Sequence, residues 1–187
     1  MTKFLILHGT DASPEYNWFM WLKGKLIGEG YKVWLPQLPD SKNPNTETYN
    51  NFLFSNKEFN IDQETVIIGH SSGAVEILSL LQHLPVNIII KTAILVSVFK
   101  NNLGMTELEG LFIEPFNFNE IKKHSERFIF IHSDNDPYCP LDGARYISEQ
   151  CEGEFIIIEG QGHFNTEINP DYKQFPALLD IIKKSIS

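Results

Sequence analysis

The sequence predicts one α/β domain, a doubly wound and mostly parallel sheet with helices on both faces. Short apolar runs alternate along the 187-residue chain with segments whose apolar residues recur at helical spacing. The apolar runs lack inside–outside alternation, as do strands of a parallel sheet that is covered on both faces. Strands and helices alternate throughout, which is the order of a doubly wound sheet. A chain of this length suits a single domain over residues 1–187, and it contains no evident linker or repeat.

Six strands and five helices are predicted from these patterns. The strands are runs rich in Val, Ile, Leu or Phe at residues 4–8, 32–35, 65–68, 93–98, 127–132 and 155–158. The helices are predicted at residues 16–27, 46–57, 73–84, 141–151 and 172–185. Ser13-Pro14-Glu15 precedes the first helix and Pro140 the fourth, as is typical of helix starts.

Composition and charge exclude several classes of protein. The formal net charge is −9 and there is no run of Lys or Arg, which argues against a nucleic-acid ligand. The longest apolar stretch, residues 88–99, contains Lys91 and is too short for a membrane span. Cys139 and Cys151 have neither a metal-binding spacing nor a disulfide framework. No targeting segment follows Met1, so we expect a cytoplasmic protein that binds neither membranes nor nucleic acids.

The most informative motif is Gly69-His70-Ser71-Ser72-Gly73, which has the form G-x-S-x-G. It lies between a predicted strand and a predicted helix, the setting in which this motif holds a nucleophilic serine on a sharp turn. The glycines avoid a collision with neighbouring backbone, and the strain of such a turn costs about 1–3 kcal/mol. The other interpretation is an ordinary helix start that is capped by Ser71 or Ser72. We favour Ser71 as a nucleophile.

A serine nucleophile needs a base, and the base needs a carboxylate to orient it. After this motif the chain order is the acid and then the histidine. His163 is the candidate base, because it follows a predicted strand in a loop that contains Gly160 and Gly162. Asp136 and Asp134 both follow the strand at residues 127–132, where a carboxylate can face the crevice at the sheet edge. Proline turns would hold Asp136 stiffly, whereas Asp134 could bond its own backbone.

Two backbone N–H groups usually hold the oxyanion of acyl transfer. One comes from the residue after the nucleophile, here Ser72, and the other from the loop after an early strand. That loop is His8-Gly9-Thr10, in which Thr10 is the candidate donor.

His132, Asp134 and Asp136 form the string H-x-D-x-D, which could also indicate a metal site. No second cluster in the sequence completes a coordination sphere, and the loop lacks the glycine of an EF-hand. We therefore expect no metal.

Aromatic residues supply candidates for the walls of a substrate pocket. We select Trp18, Phe99, Phe112 and Phe164, with core packing as the alternative for each of them. Residues 99–126 connect the fourth and fifth strands, and this segment is long enough for a small lid but not for a large cap domain.

The chain resembles the small serine hydrolases of the retinoblastoma-binding protein 9 type, in the α/β-hydrolase superfamily, over nearly its whole length. The resemblance rests on His8-Gly9, Asn17-Trp18-x-x-Trp21-Leu22, Gly69-His70-Ser71-Ser72-Gly73-Ala74, Asp136-Pro137-x-x-Pro140 and Gly162-His163-Phe164. It implies a minimal α/β-hydrolase fold without a large cap, Ser71 as nucleophile, His163 as base, and Asp136 rather than Asp134 as acid. It also implies hydrolysis of esters or small amides without a cofactor. Neither cysteine supplies the L-x-C-x-E string associated with retinoblastoma binding, so that particular partner is not carried over to this chain.

The favoured function is an esterase-like serine hydrolase that cleaves small acyl compounds through Ser71, His163 and Asp136 and an acyl-enzyme intermediate. The expected ligand is a small-molecule acyl substrate. The same triad could cleave amides, peptides or thioesters, and the fold could also serve as a non-catalytic binding module.

Overall fold

The computed structural model describes residues 1–186 and has the predicted doubly wound architecture. Its six strands form one sheet in the order β2-β1-β3-β4-β5-β6. All five neighbouring pairs are parallel. The strands are β1 Lys3–Leu7, β2 Lys32–Trp34, β3 Thr65–His70, β4 Thr92–Val96, β5 Phe128–His132 and β6 Glu154–Ile157. Each predicted strand is present, with its ends shifted by one or two residues.

The helices lie on both faces of this sheet. They are α1 Phe19–Gly28, α2 Thr46–Ser55, α3 Ser72–Gln82, α4 Phe118–Ile121, α5 Leu141–Gln150 and α6 Pro176–Ile186. Short 3-10 helices cover Thr106–Leu111, Lys122–His124 and Pro170–Lys173. No helix among the described residues combines the length and the apolar character that a membrane span requires.

The sheet separates two hydrophobic cores because successive side chains of a strand point to opposite faces. In β1, Leu5 and Leu7 pack with apolar residues of α2, α3 and α5. Phe4 and Ile6 of the same strand pack on the other face with residues of α1 and α6. Both faces of the central strands are therefore apolar, which explains why their sequences are continuous hydrophobic runs.

Helix α1 begins at Phe19, three residues later than predicted. Residues 13–18 instead form turns, and Asn17 has a φ of 51° that no helix allows. The Asn17 side-chain oxygen accepts hydrogen bonds from the backbone N–H and the hydroxyl of Thr166, each at 3.0 Å. This contact between distant parts of the chain overrides the helical pattern of the local sequence.

The predicted last helix is divided in two. A 3-10 helix at Pro170–Lys173 is followed by Gln174 in an extended conformation, and α6 begins at Pro176. The residue before a proline avoids helical backbone angles, and proline suits the first turn of a helix. Pro176 therefore starts a new helix rather than continuing the previous turn.

The strand order places a crevice at the carboxyl end of β1 and β3. The chain passes from β1 to β2 on one side and then returns to β3 on the other side of β1. Loops that leave neighbouring strands in opposite directions open a crevice at the sheet edge, where ligands of doubly wound proteins bind. The loop after β1 begins at His8, and the turn after β3 contains Ser71.

Candidate active site

Ser71 lies on a strained turn between β3 and α3. Its φ and ψ are 57° and −123°, values that residues other than glycine seldom adopt. Its backbone N–H donates to the Val96 carbonyl oxygen at 2.9 Å, which joins the turn to the end of β4. Within the described part of the chain the Ser71 side chain makes no capping bond to α3. A capping serine would use its hydroxyl in that way, so the geometry favours the nucleophile interpretation.

The two glycines of the motif are required by close approach of backbone. A Cβ atom on Gly73 would lie 2.5 Å from the carbonyl oxygens of both Leu7 and His8. A Cβ atom on Gly69 would collide with the backbone of Gly73 and Ala74. The first turn of α3 therefore packs directly against the end of β1, which brings the loop after β1 next to Ser71.

Asp136 and His163 form a buried hydrogen-bonded pair. His163 Nδ1 lies 2.8 Å from Asp136 Oδ2, and only 1% of the aspartate side chain and 8% of the histidine side chain are exposed. The same carboxylate oxygen accepts a bond from the Ser97 hydroxyl at 2.8 Å. Its other oxygen accepts the backbone N–H groups of Tyr138 and Cys139, each at 2.9 Å. All of these donors favour the ionised carboxylate.

The electrostatics of the pair follow from these contacts. Burial tends to raise the pKa of Asp136, but the hydrogen bond and charge of His163 and the N–H groups of Cys139 and Tyr138 outweigh burial and hold this pKa below its usual value. Asp136 is thus an anion that accepts the Nδ1 proton of His163. Because Nδ1 is occupied, Nε2 is the nitrogen of His163 that remains available as a base.

The loop before Asp136 also holds the loop that carries His163. Asp134 accepts the Gly160 N–H at 2.7 Å, and Asn135 accepts the Gly162 N–H at 2.7 Å. Asp134 therefore bonds backbone, while Asp136 is the carboxylate that contacts the histidine. In the H-x-D-x-D string, His132 donates to the Cys139 carbonyl at 2.9 Å, and its Nε2 lies 4.0 Å from Asp136 Oδ2. Asp134 points instead to the Gly160 N–H.

Two buried side chains fix the backbone at His163 and Phe164. His70 Nε2 lies 2.7 Å from the His163 carbonyl oxygen, and the Trp18 indole N–H donates to the Phe164 carbonyl at 3.0 Å. Burial, followed by the charge of His163, lowers the pKa of His70 to about 3. His70 is therefore neutral, carries its proton on Nε2 and donates it to this carbonyl.

The loop after β1 is held by His8. Its Nδ1 lies 3.0 Å from the Gly9 carbonyl oxygen, and its Nε2 accepts the Leu38 N–H at 3.0 Å. Burial lowers the pKa of His8, which keeps the ring neutral as this arrangement requires. Because a peptide is planar and trans, fixing the Gly9 carbonyl turns the Thr10 N–H the opposite way, away from His8. A Cβ atom on Gly9 would lie 3.0 Å from Ser71 Cβ, so this peptide borders the serine.

Ser71 and His163 share one cleft of about 360 Å³. Loop residues of three segments line it: Gly9, Thr10, Asp11, Ala12, Tyr16 and Asn17, then His70 and Ser71, then His163, Asn165, Thr166 and Glu167. Larger grooves, of about 410, 460, 530 and 710 Å³, lie elsewhere and are lined by neither Ser71 nor His163.

None of the four aromatic residues selected as pocket walls lines this cleft. Trp18 and Phe164 are fully buried in the core between the sheet, α1 and α6. There the Trp18 indole holds the loop that carries His163 through the Phe164 carbonyl. Phe99 is buried in the opposite core. Phe112 lines a separate groove of about 460 Å³. Trp18, Phe99 and Phe164 therefore pack in the cores, which is the alternative considered for them.

Residues 99–126 do not cover the cleft. Leu108, Leu111 and Ile121 of this segment are buried in the core that contains α2 and α3. The Gly110 carbonyl accepts the Thr46 hydroxyl at 3.4 Å, which ties the segment to the start of α2. The segment lies beside α2 and α3, and none of its residues lines the cleft.

One group of three side chains among the described residues has the donor atoms of a metal site. Ligand atoms of Asp136, Cys139 and His163 all lie within 4.8 Å of one another. Burial raises the pKa of the Cys139 thiol well above its ordinary value, so this sulfur is a protonated and weak ligand. The carboxylate is already engaged by His163, Ser97 and two N–H groups. The arrangement fits a hydrogen-bonded acid and base better than a metal centre.

The fold and the serine turn place the protein in a known class. A parallel sheet with a strained serine between a central strand and the following helix is the α/β-hydrolase arrangement. The sequence pattern of the serine hydrolase family matches residues 4–184, and the chain belongs to this family. It is therefore a serine hydrolase by family.

Individual relatives agree with this assignment. The chain is 26% identical over 189 residues to the YdeN protein of Bacillus subtilis, covering 100% of this chain and 98% of that protein. It is 27% identical over 193 residues to the serine hydrolase RBBP9 of Rattus norvegicus, covering 100% and 96%. The crystal structure of the B. subtilis ydeN gene product has a TM-score of 0.92 at 24% identity, covering 100% of this chain and 99% of that chain.

Proposed function

We propose that this hydrolase cleaves small carboxylic esters through Ser71, His163 and Asp136. The observation that carries the proposal is the buried Asp136–His163 pair, whose histidine shares one cleft with the strained Ser71. A charged carboxylate, an imidazole that it orients and a serine on a strained turn are the parts that acyl transfer requires.

The reaction begins with attack of Ser71 Oγ on the carbonyl carbon of the ester. His163 Nε2 accepts the hydroxyl proton, and Asp136 stabilises the resulting imidazolium. Collapse of the tetrahedral intermediate breaks the ester bond, and the leaving alcohol takes the proton from His163. A water molecule then attacks the acyl-enzyme, gives a proton to His163, and Ser71 regains that proton as the acid leaves. Atoms and charges balance over the cycle without a cofactor.

The Thr10 and Ser72 N–H groups are the proposed oxyanion donors. Ser72 is the first residue of α3, where backbone N–H groups lack intrahelical acceptors. The Gly9–Thr10 peptide borders Ser71 and is oriented by His8. In this proposal the two N–H groups reach the oxyanion from α3 and from the loop after β1, and the positive end of α3 adds to their effect.

The cleft supports a small substrate. Its volume of about 360 Å³ is at the lower end for small-molecule sites, and loops rather than a cap domain surround it. Its lining is mostly polar, with Asp11 and Glu167 among the lining residues. These features favour short acyl groups over long apolar chains.

The Ser71 hydroxyl makes no hydrogen bond to His163 in the described structure. Catalytic hydrogen bonds are often long before substrate binds and tighten in the complex. We expect His163→Ala to lower kcat/KM for an ester, because the serine proton then has no imidazole to accept it. A variant that hydrolyses the ester at the wild-type rate would argue against His163 as the base.

Intact mass spectrometry after treatment with a fluorophosphonate tests the proposal. We expect one adduct on the wild type and none on Ser71→Ala. A folded wild type without an adduct would overturn the proposal and favour a binding module. Rates on 4-nitrophenyl acetate, an acetyl thioester and acetanilide then compare esters with thioesters and amides. A faster rate on either of the last two would replace the ester by that substrate class.

A further inference from the structure

Glu76 is a fully buried acid that the proposed mechanism does not use. It lies on α3, five residues after Ser71, and none of its side chain is exposed. Within the described residues 1–186, neither of its carboxyl oxygens has a hydrogen-bond partner. Buried polar groups in proteins are nearly always paired with protein or internal water, so such an acid calls for a specific explanation.

Two further buried hydroxyls near Glu76 also lack a protein partner. Ser72 precedes Glu76 by one helical turn on the same face of α3, and its Oγ has no partner among the described residues. Tyr49 of α2 packs in the same core as α3, and its hydroxyl likewise lacks a partner there. Burial raises the pKa of Tyr49, and the carboxyls of Glu76 and Asp40 lie near enough that either would raise it further if it were ionised. Three polar groups without partners thus lie in one core, on α2 and on the first two turns of α3.

The chemistry of this cluster suits hydrogen bonding by a neutral acid. Burial is the sole cause that raises the pKa of Glu76 well above its ordinary value, so the carboxyl keeps its proton. A protonated carboxyl donates one hydrogen bond through its O–H group and can also accept hydrogen bonds through its oxygens. Each hydroxyl can likewise donate and accept. The three groups can therefore satisfy one another with internal water as the bridge.

The position of the cluster connects it to the catalytic turn. Ser72 is the residue whose N–H is proposed to hold the oxyanion, and its side chain belongs to the cluster. An apolar residue at position 76 would avoid the cost of burying a polar group. Features that cost stability are expected where they serve function, and this one lies one turn from the oxyanion donor.

We propose that Glu76 is a positioning residue for catalysis, which holds Ser72 and the first turn of α3 through a hydrogen-bonded cluster with Tyr49 and internal water. This inference rests on the proposed function, because it assigns Glu76 to the oxyanion hole of that reaction. Glu76 acts through Ser72 and does not contact the substrate.

Steady-state hydrolysis of 4-nitrophenyl acetate by four variants tests the role of Glu76. Glu76→Leu should lower kcat at least about tenfold with little change in KM. Removing an oxyanion donor lowers kcat by roughly 10²–10³-fold, and displacing one should lower it by less. Glu76→Gln should keep most of kcat, since an amide reproduces the shape and hydrogen bonding of a protonated carboxyl. Tyr49→Phe should lower kcat and leave KM unchanged.

Thr92→Val is the matched control. The Thr92 hydroxyl is also buried without a partner among the described residues, but it lies at the amino end of β4, the sheet edge opposite Ser71. We expect the kcat of Thr92→Val to equal that of the wild type. A similar loss of kcat in this control would show general loosening and overturn the proposal.

The remaining outcomes separate the inference from the proposed function. Wild-type kcat in folded Glu76→Leu, or equal losses in Glu76→Gln and Glu76→Leu, would overturn the role of Glu76. If Glu76→Leu does not fold, an unchanged kcat in Tyr49→Phe would overturn it instead. A wild type that neither hydrolyses the ester nor reacts with the fluorophosphonate would overturn the proposed function, and this inference with it.

Discussion

His70 donates a hydrogen bond of 2.7 Å to the carbonyl oxygen of His163, so the residue before Ser71 holds the loop that carries His163. The two imidazole rings lie 4.7 Å apart between centroids. His70 also packs edge-on against Trp18, whose indole N–H fixes the next carbonyl of the same loop. The serine turn and the histidine loop, which are 92 residues apart in the sequence, are thereby joined directly.

Replacing His70 by Phe should slow catalysis and change the acid sensitivity of the fold. The ring would keep its packing but lose the bond to His163, and a displaced base can cost up to about 10²-fold in rate. The pKa of His70 is lowered to about 3 from its ordinary 6.5. Below about pH 6.5 the unfolded chain therefore binds a proton at His70 that the folded chain does not bind. His70→Phe should therefore lose less stability than the wild type between pH 7 and pH 5.

Fluorophosphonate labelling rates and urea unfolding at the two pH values measure these effects. His8 and His132, whose pKa values burial also lowers, should preserve part of the acid sensitivity in the variant. Labelling at the wild-type rate would show that the bond to His163 has no catalytic consequence.

Asp136→Asn and Asp134→Asn should separate the two candidate acids. Asp136 is the carboxylate that bonds His163, and in a comparable triad the loss of this charge lowers kcat by roughly 10⁴. Asp134 bonds the Gly160 N–H, so Asp134→Asn should cost at most about 1 kcal/mol of stability and leave labelling nearly unchanged. Pseudo-first-order labelling rates compare the variants directly, and faster labelling of Asp136→Asn than of Asp134→Asn would reverse the assignment.

Ser97 should prove to be a positioning residue for Asp136. It lies just after β4, is fully buried, and donates to the same carboxylate oxygen as His163. A hydrogen bond to a charged group contributes about 1.5–3 kcal/mol, so Ser97→Ala should lower stability by that order and slow labelling.

Ser97→Gly is the matched control for the Ser97 backbone. The φ of Ser97 is 53°, a value that suits glycine better than alanine. Both variants lack the hydroxyl and should label equally slowly, while Ser97→Gly should be the more stable in urea. Unequal labelling would assign the effect to backbone strain rather than to the hydroxyl.

Much of the fold follows from sequence because buried parallel strands are continuous apolar runs. The turn at Ser71 could also be predicted from the local sequence. Gly69 and Gly73 lie where neighbouring backbone comes so close that any side chain would collide with it. The start of α1 could not be predicted, because Asn17 takes a left-handed conformation to bond Thr166, 149 residues away.

The supporting residues of the site were less accessible to sequence analysis. Ser97 is a serine at the end of a buried strand, and it reaches Asp136 only because β4 lies between β3 and β5. The aromatic residues proposed as pocket walls show the same limit, because none of them lines the cleft at Ser71. Trp18 and Phe164 are aromatic, as residues that line pockets often are, but the backbone directs both side chains into the core.

Glu76 gives the fold a specific sensitivity to alkaline pH. In the unfolded chain a glutamate ionises above its ordinary pKa of 4.5, whereas burial raises the pKa of Glu76 in the fold, so the folded chain retains a proton that the unfolded chain loses. Stability from this position is therefore complete below about pH 4.5 and declines as the pH rises towards the folded pKa. Glu76→Gln removes the titration, so this variant should be more stable than the wild type at pH 8, with a smaller difference at pH 5.

Thermal unfolding midpoints at the two pH values check this expectation. Glu126→Gln, at an exposed glutamate, is the control. The difference between its unfolding midpoint and that of the wild type should not change comparably between pH 5 and pH 8. A difference between Glu76→Gln and the wild type that stays constant from pH 5 to pH 8 would mean that Glu76 ionises alike in both states. An internal partner would then have to stabilise its charge, and the neutral cluster with Ser72 and Tyr49 would not exist.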